Sequence, residues 1–100
     1  MIQPQWPAPH HVRSLITPRT IQGGMSVAPY DNFNLAYHVG DEVAAVQHNR
    51  AILRQHLPAD PIWLNQVHGV AVHEVTHRNR YHPTLRDADA LITQLPNVPL

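Results

Sequence analysis

Hydrophobic and polar positions along the 100 residues fall into short segments cut by proline and glycine. The clearest periodicity follows Gly40 and Asp41. There Val43, Val46, Leu53 and Leu57 recur at spacings of 3, 7 and 4, the apolar face of a helix. Asp41 suits the N-cap, where its carboxylate can accept from the free amides of the first turn, and Glu42 suits the positive helix end. Arg50, Arg54 and His56 gather toward the other end and Pro58 stops it, so the pattern predicts a helix over 41–57. Upstream, the β-branched run HVRSLIT (11–17) predicts a short strand ended by Pro18. The Gly-Gly, Pro and Asp-Asn of residues 20–32 predict a loop. FNLAYHV (33–39) alternates Phe33, Leu35, Tyr37 and Val39 with polar or small residues, as a half-buried strand or extended segment does. Residues 1–11 are Pro-rich and are expected to lie extended, with Trp6 as an anchor.

Downstream, IWLNQV (62–67) and VAVHEVT (70–76) read as two strands. His68-Gly69 between them is short enough for a two-residue turn, with Gly69 supplying positive φ, so a tight hairpin is expected. HRNRYHPTLR (77–86) is a polar loop, DADALIT (87–93) a final strand, and QLPNVPL a tail without a terminating element.

The second of these strands contains His73, Glu74, Val75, Thr76 and His77, an H-E-x-x-H string. In a zinc peptidase that motif lies on a helix, where residues i and i+4 share a face and the Glu activates the metal-bound water. The flanking Val70, Val72, Val75 and Thr76 favour a strand instead. On a strand the two histidines stand about 13 Å apart, too far for one ion, and Glu74 faces the opposite side. The peptidase reading is set aside.

Composition narrows the picture further. Lys plus Arg and Asp plus Glu number seven each, without the basic excess of a nucleic-acid module or a polybasic membrane anchor. No run of 18 apolar residues is present and the first residues lack the basic and apolar regions of a signal peptide, so a cytoplasmic chain is the expectation. Cysteine is absent, so any zinc site within these residues must use His, Asp or Glu.

Several stretches occur in the order of one known family: PRTIQGGMS with APYDNFNLAYHVGD, then VQHNRAIL, WLNQVHGVAV and DADALIT. From Arg19 to Thr93 the chain resembles the YfiH-type laccase-domain proteins, also called polyphenol oxidases and regarded as multifunctional purine nucleoside enzymes. The resemblance implies an α+β fold, a mixed β-sheet with flanking helices, of which residues 1–100 form the N-terminal part of a single domain in a protein of twice this length or more. It also implies a His-Cys-His metal site whose first ligand is the His of QVHG, here His68. The Cys and second His belong to motifs that follow DADALIT in the family.

The implied activity is phosphorolysis of adenosine, inosine or methylthioadenosine, with adenosine deamination at the same site. The implied partners are a purine nucleoside and phosphate, with no nucleic acid, no membrane and no particular oligomeric state. Zinc is the expected metal. Copper is a family label, and blue-copper chemistry needs a Cys among its ligands. Arg19 is a candidate phosphate contact. Three residues separate it from Gly23-Gly24 where the family pattern has one, so a surface arginine is the competing reading. Asn34 and Gln66 are candidate site-lining residues, with backbone bonding as the alternative. Asp89 reads as a turn or cap contact rather than a catalytic acid. The rival to the enzyme reading is an inactive fragment that serves only folding or interaction.

Overall fold

The described residues form one helix and four short strands, an α+β arrangement. The structure is a computed structural model and describes residues 1–82 and 86–100; Pro83, Thr84 and Leu85 of the expected polar loop lie outside the described residues. Two compact units divide the chain, Met1–Ile52 and Leu53–Leu100.

In the first unit the helix α1 starts at Val43 and crosses the unit boundary to end at Arg54, shorter at both ends than the predicted 41–57. Its first backbone bond runs from the Val46 N–H to the Glu42 carbonyl, so Glu42 takes the flanking position expected of Asp41. The Asp41 carboxylate accepts instead from the Ser26 hydroxyl at 2.5 Å, the Asn34 amide at 3.1 Å and the Glu42 N–H at 2.8 Å. The buried side of the helix is also rotated from the expected one. Ala45, Val46, Asn49 and Leu53 are buried, while Val43 is 57% exposed.

Asn49, fully buried, explains the rotation. Its carbonyl oxygen accepts from the Met25 N–H at 2.9 Å, and its amide donates to the Ser26 hydroxyl and to the carbonyls of Asn32 and Asn34. A helix cannot turn this side chain to water without leaving those loop groups unpaired. Loop 20–32 is therefore folded around an amide rather than an apolar cluster. Gly24 belongs to it for steric reasons, since a Cβ there would stand 2.5 Å from Asn32 Oδ1.

Two extended segments expected upstream are absent as strands. Of residues 11–17 only Ile16 pairs, in a single bridge to Ile2. Residues 33–39 bend at once, because the Asn34 side chain both accepts from the Ala36 N–H and donates to the Ala36 carbonyl. Phe33 alone of the alternating set is buried. Trp6 is 55% exposed and its indole N–H donates to Ser14, so it is no buried anchor.

The second unit overturns the hairpin. Strands β1 (Leu64–Asn65) and β2 (Val72–Val75) do not pair with each other. Each runs parallel to a later strand, β1 with β3 (Arg86–Asp87) and β2 with β4 (Ala90–Thr93). Leu64 lies opposite Arg86 and Asn65 opposite Asp87, then Val72 lies opposite Ala90 and Val75 opposite Thr93. His73 and Val75 turn inward on β2, and the Thr93 hydroxyl closes the ladder on the Val75 carbonyl at 2.8 Å. The tail does not trail free, since the Ile62 N–H donates to the Pro99 carbonyl.

The hub of the first unit can be tested directly. Asn49→Ala strands several loop polar groups at once and is expected to lower stability by about 2–4 kcal/mol in urea unfolding. A loss under about 0.5 kcal/mol, the size of an ordinary surface change, contradicts the assignment. A second test uses pH. The Ser26 hydroxyl, then Asn34 and Glu42, hold the Asp41 carboxyl below its ordinary 3.8 against an opposing desolvation effect. A lowered carboxyl stabilises above its ordinary value and loses that effect as pH falls through the lowered one. The stability difference between the wild type and Asp41→Asn is therefore expected at pH 6 and to vanish in strong acid; a difference independent of pH contradicts it.

Candidate functional site

Between β1 and β2 the chain leaves its parallel partner. The pairing registers on either side set residues 66–71 against only residues 88 and 89. The base of this excursion is closed by two backbone bonds, from the Ala88 N–H to the Asn65 carbonyl at 3.2 Å and from the Asp89 N–H to the Ala71 carbonyl at 3.1 Å. Residues 66–71 are all exposed, with Val70 at 98%. His68 stands at the centre of this loop.

Asp89 holds the loop through its backbone. Oδ1 accepts from the Val67 N–H at 3.1 Å and the His68 N–H at 2.7 Å, and Oδ2 accepts from the Gly69 N–H at 2.7 Å. Successive amides converging on one anion form the kind of concavity that binds phosphates elsewhere, here filled by the chain's own carboxylate. The Gly69 bond is the main cause of a lowered Asp89 carboxyl pKa. Desolvation opposes it, and the His68 and Val67 amides and the nearby His68 charge add to the lowering.

The backbone also corrects the expected role of Gly69. His68, not Gly69, takes the left-handed conformation, with φ of 57°. A two-residue hairpin turn of the commonest kind needs positive φ at both central residues, which is not the case here. A non-glycine residue in this region carries a cost of about 1–2 kcal/mol, so the three hydrogen bonds to Asp89 are what keep His68 there.

The other predicted site residues are distributed as follows. Gln66 opens the same loop and is exposed. Arg19 and Asn34 belong to the first unit and line a shallow depression of about 240 Å³ with Pro29, Tyr30 and Phe33. The Arg19 guanidinium donates to the Asp31 carbonyl at 3.0 Å and the Pro29 carbonyl at 3.4 Å, with the Asp31 carboxylate at 3.6 Å. It braces a turn. Asn34 is bound to Ala36 and Asp41, the backbone-bonding alternative named for it.

The H-E-x-x-H string lies on β2 and the turn after it, not on a helix. His73 is half-buried, Glu74 exposed, and the Asn79 amide caps the turn by donating to the Glu74 carbonyl at 3.0 Å. Among the described residues no group of three His, Cys, Asp or Glu stands close enough to hold a metal ion. His68 offers one imidazole, so these residues do not by themselves fit a three-ligand zinc site. Asp89 is a turn contact, as its sequence context suggested, and it holds three successive loop amides. The Ala88-Asp89-Ala90 string was visible, but the partners of its carboxylate were not.

The left-handed assignment has a simple test. Both His68→Gly and His68→Ala remove the imidazole, so their difference isolates the backbone. The glycine variant is expected to melt as the more stable by about 1 kcal/mol. Gly69→Ala is expected to be mild, since its Cβ would meet Asp89 Oδ2 at an ordinary 3.5 Å. An alanine variant at 68 more stable than the glycine one contradicts the geometry.

The comparisons with known proteins agree with the order of motifs. A family model described as multi-copper polyphenol oxidoreductase laccase matches residues 14–100. A purine nucleoside phosphorylase of Pseudomonas aeruginosa is 49% identical over 73 residues, covering 73% of this chain and 29% of that protein. A purine nucleoside phosphorylase of Haemophilus influenzae is 39% identical over 98 residues, covering 96% of this chain and 38% of that protein. The purine nucleoside phosphorylase YfiH of Escherichia coli is 44% identical over 78 residues, 76% of this chain and 31% of that protein. The chain thus spans about a third of the length of these relatives. Its motifs, the matched residues and these identities make it a member of the YfiH-type laccase-domain family.

Proposed function

We propose that these residues are the His68-bearing part of a purine nucleoside phosphorylase. The observation that carries this reading is an exposed imidazole on a loop fixed by its backbone, in a chain whose relatives bear that name. In the proposed reaction a phosphate oxygen bonds to the ribose C1′ as the C1′–N9 bond breaks, and the purine leaves with the electron pair and takes up a proton. Inosine, adenosine and methylthioadenosine are the proposed nucleosides, with adenosine deamination as a second activity of the same site. The proposal includes a cytoplasmic location and a YfiH-like mixed sheet to which the two parallel strand pairs contribute.

His68 is proposed as the first ligand of a zinc ion, the metal that the family resemblance implies. The remaining ligands would lie outside residues 1–100, which would form the N-terminal part of a single domain. Gln66, at the start of the loop, is proposed to line the nucleoside site. Arg19 and Asn34 are weaker candidates for substrate contacts, since both side chains are already engaged in turns of the first unit.

A second reading has its own support. Among the described residues no group of three His, Cys, Asp or Glu stands close enough to hold a metal ion beside His68. On that reading the 100 residues alone are inactive and act as a folding or interaction fragment.

The test follows hypoxanthine release from inosine by the protein expressed from its own gene, with and without phosphate. Phosphate-dependent release that falls by roughly 100-fold or more in His68→Ala is the expected result. Release untouched by that substitution contradicts the role given to His68. No release by the wild type favours the fragment reading.

A further inference from the structure

The functional reading uses His68 and leaves unused the carboxylate beneath it. We propose that Asp89 is the positioning residue for His68: by gathering the Val67, His68 and Gly69 amides, its carboxylate holds residues 66–71 out of the strand pair and presents the imidazole at the crest of the loop.

Three features of the loop point to positioning rather than to a plain turn. The first is the choice of residue. A turn that merely needed positive φ would use the available glycine, yet the chain puts histidine at φ 57° and glycine beside it. Strain at a non-glycine residue held by its surroundings marks sites where a particular side chain is wanted in a particular place. The second is the acceptor. Both carboxylate oxygens are used, one by two amides and the other by the third. An asparagine would offer one acceptor oxygen and turn an NH2 donor toward an amide donor. The third is anchorage. The Asp89 N–H is bonded to the Ala71 carbonyl and neighbouring Ala88 is buried, so the carboxylate is carried by a fixed backbone at the loop base. Both oxygens of Asp89 are engaged by the loop amides. Its effect on chemistry passes through His68.

Only the purpose of positioning rests on the nucleoside phosphorylase reading; the positioning itself does not. The experiment therefore has two readouts. In the first, amide exchange and backbone chemical shifts are recorded by NMR for the wild type, Asp89→Ala and Asp89→Asn. In Asp89→Ala the His68 shifts are expected to leave their left-handed values and amides 67–69 to exchange at least roughly tenfold faster. The amides of α1, β2 and β4 should keep their wild-type rates. Asp89→Asn, isosteric and guarding against a folding failure of the alanine variant, should release at least one of the three amides. Unchanged His68 shifts with protected amides in both variants overturn the proposal. So does unfolding of the second unit in both, because Asp89 would then determine the fold rather than one side chain.

The second readout is the split of kinetic constants for phosphorolysis. Asp89→Asn is expected to lower kcat by about 10–100-fold, with the KM for phosphate held. A raised phosphate KM at constant kcat contradicts positioning through His68 and makes Asp89 a determinant of phosphate binding. A wild-type protein without turnover counts against the phosphorylase reading, and the NMR result then decides the role of Asp89.

Discussion

Backbone donors that leave a strand pair must find other acceptors, and in the second unit that constraint is met by one carboxylate. Residues 66–71 lie against only residues 88 and 89, which join β3 to β4, so their amides have no ladder to join. Asp89 collects three of those amides, and the bonds at Ala88 and Asp89 close the gap below. From this follow the left-handed turn at His68 and the exposure of its ring, while the parallel pairs on either side rest on their own ladders. Removing the carboxylate would leave the loop with no reason to hold that shape.

The first unit meets the same constraint in another way. Its loop 20–32 leaves Met25 and Val27 exposed, and its polar groups converge on the Asn49 amide. Asn49 and Ser26 are buried together, and Ser26 passes the network on to Asp41 and Asn34. Buried polar networks specify a structure strongly when every member is satisfied, and among the described residues no buried side-chain polar atom lacks a partner. A short chain with a modest apolar core can thus define irregular loops through hydrogen bonds.

Much of this was legible from residue types, and the failures share a cause. The helix was evident from spacing, and the β-branched residues around His73 marked a strand where a motif search would see a peptidase helix. Periodicity carries no information about partner or direction, so two strands joined by His68-Gly69 looked like a hairpin although each pairs in parallel with a later strand. Local side-chain chemistry also overrode pattern. Asn34 bends the alternating segment at its second residue, and buried Asn49 turns the helix away from Val43. The family could be named from the QVHG string around His68 and its neighbouring motifs. The carboxylate that shapes the His68 loop lies 21 residues further on, a separation that only the folded chain brings together.

The loop geometry comes down to one point: a histidine carried in a conformation that glycine would adopt more readily, held by a carboxylate from the junction between β3 and β4. The most direct measurement is scalar coupling across the hydrogen bonds themselves, in a long-range HNCO experiment tuned to side-chain carboxylates. Couplings from the amide nitrogens of His68 and Gly69 to the Asp89 carboxyl carbon are expected. Amides of Val67, His68 and Gly69 that show no such coupling and exchange freely with solvent would contradict the account.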